Sequence, residues 1–192
     1  MSSTIGETVR ILGISGSLRK ASFSTALLNI LAEKAAPAIE IELVTLEEIP
    51  LYNEDLDQEP GIPAVANLKK AIAESDGVLI VTPEYNHGVP GVLKNALDWV
   101  SRPVFESCFK GKPVSIMTSS LAFTGGVRAQ YQLRETLISM QAHLVMGPEV
   151  VVGGVHRNLV DEAYADEKGL AFMLKSLEKL RAEILARRLV AA

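Results

Sequence analysis

Residues 77–82 read Gly-Val-Leu-Ile-Val-Thr, a short run without a charge and rich in β-branched side chains. A strand with no polar face must be covered on both sides. That is the situation of a central strand in a parallel sheet flanked by helices. The rest of the chain alternates in the way such a sheet requires. Val9–Ile14 reads as a buried strand ending in the glycine-containing turn Gly13–Leu18. Phe23, Leu27, Ile30 and Leu31 recur at helical spacing, and Pro37 closes that helix. Ile39–Thr45 alternates as a strand does, and the acidic, proline-containing stretch Tyr52–Pro63 reads as a surface loop.

Val65, Leu68 and Ile72 mark a second helix, and Val92, Leu93, Ala96, Leu97 and Val100 a third. Pro113–Thr118 is a fourth strand, followed by a helix from about Val127 to Met140. Leu144–Val152 gives a fifth extended segment, interrupted at Gly147–Pro148, and a final helix carries Leu170, Leu174, Leu177, Ile184 and Leu185. Parallel neighbours need crossover helices, so this order predicts a doubly wound five-stranded α/β sheet in three layers. No repeat, low-complexity tract or linker divides it, and a single domain over residues 1–192 is expected.

Composition narrows the partners. Lys and Arg number 19 against 23 Asp and Glu, a net charge of −4, which gives no electrostatic footprint for nucleic acid or an anionic membrane. The lone Cys108 excludes an internal disulfide and a cysteine-based metal cluster; it fits a reducing compartment and is read as structural. Met1–Arg10 is polar, without the apolar core of a signal peptide, so a cytoplasmic protein is expected. The histidines at 87, 143 and 156 have no metal-ligand spacing, and His143 is expected as a capped or core residue. The Gly-x-Ser-x-Gly elbow of hydrolases is absent. Trp99, outside the main stripe of its helix, is expected at a subunit contact or beneath a neighbouring loop.

In a doubly wound sheet, ligands bind beyond the carboxyl ends of the strands, where the strand order reverses. The loop after the first strand, Gly16-Ser17-Leu18-Arg19-Lys20-Ala21-Ser22-Phe23-Ser24, leads straight into a helix. Ser22 or Ser24 can cap that helix; hydroxyls, a guanidinium and free N–H groups converge there, chemistry suited to a phosphate. The segment is neither a Walker A loop nor a G-x-G-x-x-G fingerprint, so a monophosphate fits better than a pyrophosphate. The third loop, Pro83-Glu84-Tyr85-Asn86-His87-Gly88, offers backbone amides, a tight turn and an aromatic ring, as a planar heterocycle requires. Thr118, Ser119 and Ser120 follow the fourth strand, and Gly125–Gly126 would permit close approach of a flat ring. Glu84 and Asp98 resemble an acid/base pair, but neither is assigned a catalytic role.

The blocks GSLRKASFS at 16–24, IPLYNEDLD at 49–57, TPEYNHGVPGVLKNALDW at 82–99, KPVSIMTSS at 112–120 and GGVRAQYQLR at 125–134 span most of the chain. Together they resemble the NAD(P)H-dependent FMN reductases of flavodoxin-like fold, in particular the bacterial quinone and chromate reductase branch. The resemblance implies FMN as cofactor, with its phosphate in the loop of Ser17, Leu18, Arg19, Lys20, Ser22, Phe23 and Ser24. It implies the isoalloxazine against Pro83, Glu84, Tyr85, Asn86 and His87, with Ser119 and Ser120 along the ring or ribityl chain. Ser24 stands where the family often carries Asn, and His87 where Tyr is common. The implied activity is ping-pong transfer from NADPH or NADH to a small acceptor: a quinone, free flavin, an azo compound or chromate. The cofactor then carries the difficult chemistry, and no side chain needs a catalytic role. A flavodoxin-type electron carrier without nicotinamide turnover is the alternative. The resemblance also implies a homodimer or homotetramer, with Arg128, Tyr131 and Glu149 at the subunit contact.

Overall fold

The apolar run at 77–82 lies at the centre of the molecule, as its composition demands. The computed structural model describes residues 7–160 and 163–191, and residues 1–6 of the polar opening segment lie outside the described residues. β1 (Val9–Ser15) and β2 (Ile39–Val44) pair in parallel at one edge. β3 (Gly77–Pro83), buried from Gly77 to Thr82, lies between β1 and β4 (Pro113–Ser120), parallel to both. β5 (His143–Leu144) and β6 (Val150–Gly153) both lie along β4, giving the order β2-β1-β3-β4-β5 with β6 in the same edge position as β5. The order reverses between β1 and β3, and the doubly wound sheet expected from the sequence is present.

Side-chain alternation along β3 builds two cores. Leu79 and Val81 pack with α1 (Phe23–Ala35) and the long C-terminal helix α6 (Glu167–Ala191). Val78 and Ile80 face the other way, toward α2 (Pro63–Glu74), α3 (Gly91–Val100) and α4 (Val127–Ser139). Pro63 opens α2, where its fixed φ suits the first helical turn and its missing N–H costs nothing. A short helix, α5 (Val155–Asn158), and the antiparallel pair β7 (Leu159–Val160) and β8 (Ala163–Tyr164) connect β6 to α6.

The edge strand is broken where the sequence has Gly147–Pro148. Pro113 pairs with His143, an offset of 30 residues, whereas Met117 pairs with Val150, an offset of 33. The break therefore inserts three residues, and Ser115 and Ile116 of β4 have no strand partner on that side.

Three side-chain expectations resolve. Trp99 is buried beneath the loop after β2, its Nε1 donating to the Pro50 carbonyl at 2.8 Å and its ring meeting Tyr52 edge-on at 4.9 Å. Asn95 donates to the same carbonyl at 2.8 Å and accepts from Tyr52 N at 2.7 Å. The block at 49–57 thus anchors α3. His143 is neither capped nor in the core: it is partly exposed on β5, its Nε2 2.9 Å from Glu183 Oε1 on α6. Cys108 is mostly buried, and burial pushes its thiol up to about 11, where it is inert as a nucleophile.

The N-terminal end of the sheet is closed by charge. Asp76 accepts from Arg10 N at 2.7 Å and pairs with Arg188 near the end of α6 at 2.8 Å. Burial alone would raise the Asp76 pKa, but the Arg10 amide and Arg188 outweigh it and hold the carboxyl below its ordinary value of 3.8. A depressed carboxyl contributes stability above its unfolded pKa and loses it as pH falls through the folded one. Stability should therefore drop below about pH 4, and Asp76→Asn should flatten that part of the profile. Urea midpoints at pH 3 and pH 6 for both proteins test this, and an equally steep acid loss in the variant would refute it.

Candidate functional site

The carboxyl ends of β1, β3, β4 and β6 open on one cavity of about 720 Å3. Its floor exists because β1 and β3 meet closely. A Cβ on Gly16 would stand 2.1 Å from Thr82 Oγ1, so only glycine lets the first loop leave β1 there. Gly16 N donates to Val81 O at 2.9 Å and fixes that departure.

Ser22, not Ser24, caps α1: its Oγ accepts from Thr25 N at 3.3 Å. The amides of Phe23 and Ser24 have no intrachain partner among the described residues and lie in the first turn, where the helix dipole favours an anion. Ser24 is buried, its Oγ 3.3 Å from Ser119 Oγ, so the start of α1 is joined to the end of β4. Ser17 Oγ accepts from Arg19 N at 3.3 Å and shapes the turn. The Arg19 guanidinium lies 5.0 Å from the centroid of the Phe23 ring, a cation–π contact that holds its charge beside the helix N-terminus. Ser17, Arg19, Ser22, Phe23 and Ser24 all line the cavity.

The opposite wall comes from the third loop. Tyr85 and Gly88 exchange backbone hydrogen bonds at 3.1 and 3.0 Å around Asn86 and His87, whose φ angles are +49° and +66°. Two left-handed residues in succession make a tight turn of the primed type, a conformation Asn accepts more readily than His. Glu84 fixes this turn from behind. Its Oε2 accepts from Arg128 N at 2.9 Å and Ala129 N at 3.1 Å, capping α4, whose own N-cap residue Gly126 has no side chain to do so. Gln132 Oε1 accepts from Val89 N at 2.7 Å and adds a second tie.

Pro83, Glu84, Tyr85, Ser119 and Ser120 line the cavity with the first loop. Leu18, Lys20, Asn86 and His87 are not among the residues lining the cavity, and the last two are exposed at the tip of the turn. Gly125 and Gly126 also depart from expectation. A Cβ on Gly125 would stand 2.8 Å from the Val151 carbonyl carbon, and one on Gly126 3.0 Å from Thr118 Cβ, so these glycines accommodate neighbouring protein. Asp98 is engaged with Lys94 at 2.5 Å on α3, away from Glu84 and from the cavity. Leu121, Ala122, Val155 and His156 complete the wall and were not anticipated. The last two follow the paired glycines 153 and 154 at the end of β6, the same strand-end position that singled out the other loops.

Among the described residues no group of three His, Cys, Asp or Glu side chains could hold a metal ion, and no helix is long and apolar enough to cross a membrane. The donors present suit FMN: unpartnered amides, hydroxyls and a guanidinium for a phosphate, and an apolar-lined cleft of a size usual for cofactor sites.

Removing the Glu84 carboxylate should loosen α4 and the third loop together. Glu84→Ala is expected to cost about 1–2 kcal/mol, the range of a lost N-cap with its dipole contribution, and Glu84→Gln less than half of that. Chemical denaturation measures both, and a wild-type midpoint for Glu84→Ala would show that α4 does not depend on the cap.

Residues 9–157 match the family model for NADPH-dependent FMN reductase. A quinone reductase of Escherichia coli is 45% identical over 159 residues, covering 82% of this chain and 84% of that protein. An NAD(P)H-dependent FMN reductase of Pseudomonas aeruginosa is 39% identical over 179 residues, covering 92% of this chain and 96% of that protein. Among solved structures, the flavoenzyme NAD(P)H:acceptor oxidoreductase FerB of Paracoccus denitrificans superposes with a TM-score of 0.86 at 30% identity, covering 93% of this chain and 98% of that one. With its strand order, its cavity at the switch point and these relatives, the chain belongs to the NADPH-dependent FMN reductase family.

Proposed function

We propose that this FMN-dependent oxidoreductase passes electrons from NAD(P)H to a quinone, with both substrates using one flavin face in turn. The observation that carries this reading is the cavity itself, which joins a phosphate-suited helix N-terminus to an apolar cleft open to solvent beside the half-exposed Tyr85. Bound FMN would supply the redox chemistry, a two-electron hydride exchange, with the second proton of the hydroquinone coming from solvent. Arg19, Ser17 and the free amides of Phe23 and Ser24 would hold its phosphate. Ser119 and Ser120 would accept the ribityl chain, and Pro83, Glu84 and Tyr85 would border the ring, largely through backbone groups. The protein need only fix one face and leave the other open for near-attack approach of each substrate. The names of the Escherichia coli and Pseudomonas aeruginosa relatives favour quinones, with free flavin as a further acceptor. Chromate and azo compounds fit the same open face. NADPH is favoured over NADH by the family description.

The lone, unpaired Cys108 suits a reducing, cytoplasmic compartment. A wall built from one chain covers only part of a ring at the sheet rim, so a homodimer or homotetramer completes it. Arg128 and Tyr131, both exposed and three residues apart on α4, are offered for that contact. Glu149 joins them at the edge, although within its own chain it is 3.9 Å from Arg134. A one-chain mass by light scattering at full activity would remove this part of the proposal.

Anaerobic mixing with NADPH alone tests the mechanism. The absorbance of oxidised flavin should vanish before any acceptor is added, and subsequent benzoquinone should restore it in a separate phase. A flavin that stays oxidised until acceptor arrives would refute the shared face, and one that never reacts with NADPH or NADH would favour an electron carrier. Arg19→Ala should weaken FMN binding roughly 10- to 150-fold, the range of one charge-assisted hydrogen bond, while leaving riboflavin affinity unchanged. Equal FMN affinity in a fluorescence titration of the two proteins would remove Arg19 from the phosphate site.

A further inference from the structure

The break in the edge strand opens a second cavity, away from the flavin cleft. It measures about 130 Å3 and lies where Ser115 and Ile116 of β4 have no strand partner. Three cationic side chains, Arg134 of α4 and Lys175 and Lys179 of α6, line it with a single carboxylate, Glu149. That carboxylate does not neutralise them. Its closest approach is 3.9 Å to Arg134 Nε, which is shielded from solvent and makes no hydrogen bond. Among the described residues neither lysine has a carboxylate within 4.0 Å. Lys179 is folded over the break, with its ammonium 3.0 Å from where a Cβ on Gly147 would stand.

A buried guanidinium N–H without an acceptor is costly, and a ligand oxyanion would satisfy it. Ser115, only 5% exposed, and Ser176 add a pair of hydroxyls 3.3 Å apart at the inner end. The other walls are apolar: Leu144, Val145, Met146 and Phe172, the last two with much of their surface in solvent at the mouth. At about 130 Å3 the cavity has room for one small ring, and its cationic side favours a ligand that also carries a negative charge.

We infer that the break in the edge strand is a binding site for a small aromatic carboxylate, its carboxylate on Arg134 and Lys179 and its ring against Leu144, Val145 and Phe172. The site is separate from the flavin cleft but shares β4 with it: Ser115 precedes Ser119 by four residues on the same strand.

Calorimetric titration of the FMN-loaded protein with benzoate tests the inference, with benzyl alcohol and inorganic phosphate as comparators. Benzoate should bind saturably with a Kd of roughly 1 mM or tighter. Both comparators should bind about tenfold more weakly or not at all, because each lacks either the charge or the ring. Arg134→Gln should weaken benzoate about tenfold or more. Lys179→Gln, partly exposed and outside the core, should weaken it severalfold and guards against a folding defect in the first variant. The flavin spectrum should not change on binding. Absence of saturable binding would overturn the site, as would full benzoate affinity in both variants. A benzoate-dependent shift of the flavin spectrum that survives both substitutions would assign the binding to the flavin cleft instead. Phosphate binding as tight as benzoate would refute the aromatic class.

Discussion

A parallel sheet covered on both faces has nowhere to put polar chemistry except at the ends of its strands. β3 and β4 are buried over almost their whole length, and apart from Ser115 their polar side chains gather at the carboxyl ends, at Thr82 and at Thr118, Ser119 and Ser120. Because the strands are parallel, these ends and that of β1 fall on one rim, and the reversal of order between β1 and β3 parts their loops there. The phosphate-suited loop and the ring-bordering loop are therefore consequences of the same burial that holds the core together. Gly16 marks how tight the junction is: with Thr82 filling the space a side chain would need, the first loop has one available exit.

The rim is also held by hydrogen bonds that cross between elements. Ser24 and Ser119 join α1 to β4, and Glu84 joins the third loop to the N-terminus of α4. In the second case one carboxylate does two jobs. It satisfies amides that Gly126 cannot cap, and it fixes the turn carrying Tyr85. The arrangement makes the cleft preformed, which matters because a ring held between loops that had first to be ordered would bind more weakly. The same logic explains why an overall acidic chain can receive a phosphate. Net charge acts over a Debye length, whereas Arg19 held over Phe23 and the unpartnered amides of α1 act at contact.

Much of this could be read from the residues, and the exceptions have physical causes. The strands, the crossover helices and the interruption at Gly147–Pro148 follow from periodicity and from proline and glycine. The choice of cap between Ser22 and Ser24 did not, since both hydroxyls sit at plausible distances along the chain and only the backbone geometry decides. Gly125 and Gly126 looked like room for a flat ring. Whether a glycine faces a ligand or a neighbouring strand depends on packing that one sequence does not display, and here Val151 and Thr118 occupy the space. Trp99 lay outside the stripe of its helix because its partner is the Pro50 carbonyl, a polar contact made by a largely apolar side chain. Val155 and His156 follow the fifth extended segment, whose end was legible at Val152, but only the pairing of β6 with β4 brings that end to the rim of the cavity.

That displacement also shows how a fold can gain a feature without giving up its core. An insertion inside β1, β3 or β4 would shift every later side chain to the wrong face, exchanging the residues that meet α1 and α6 with those that meet α2, α3 and α4. At the edge, only one neighbour is affected. β5 and β6 each keep a parallel ladder with β4, and the residues between them leave the sheet plane. What remains is a gap over Ser115 and Ile116, bordered by basic residues of two helices that would otherwise have covered a continuous strand. An edge of this sheet is thus a place where irregular backbone, a cluster of cations and a cavity can coexist with an intact centre, while the larger cavity keeps the rim.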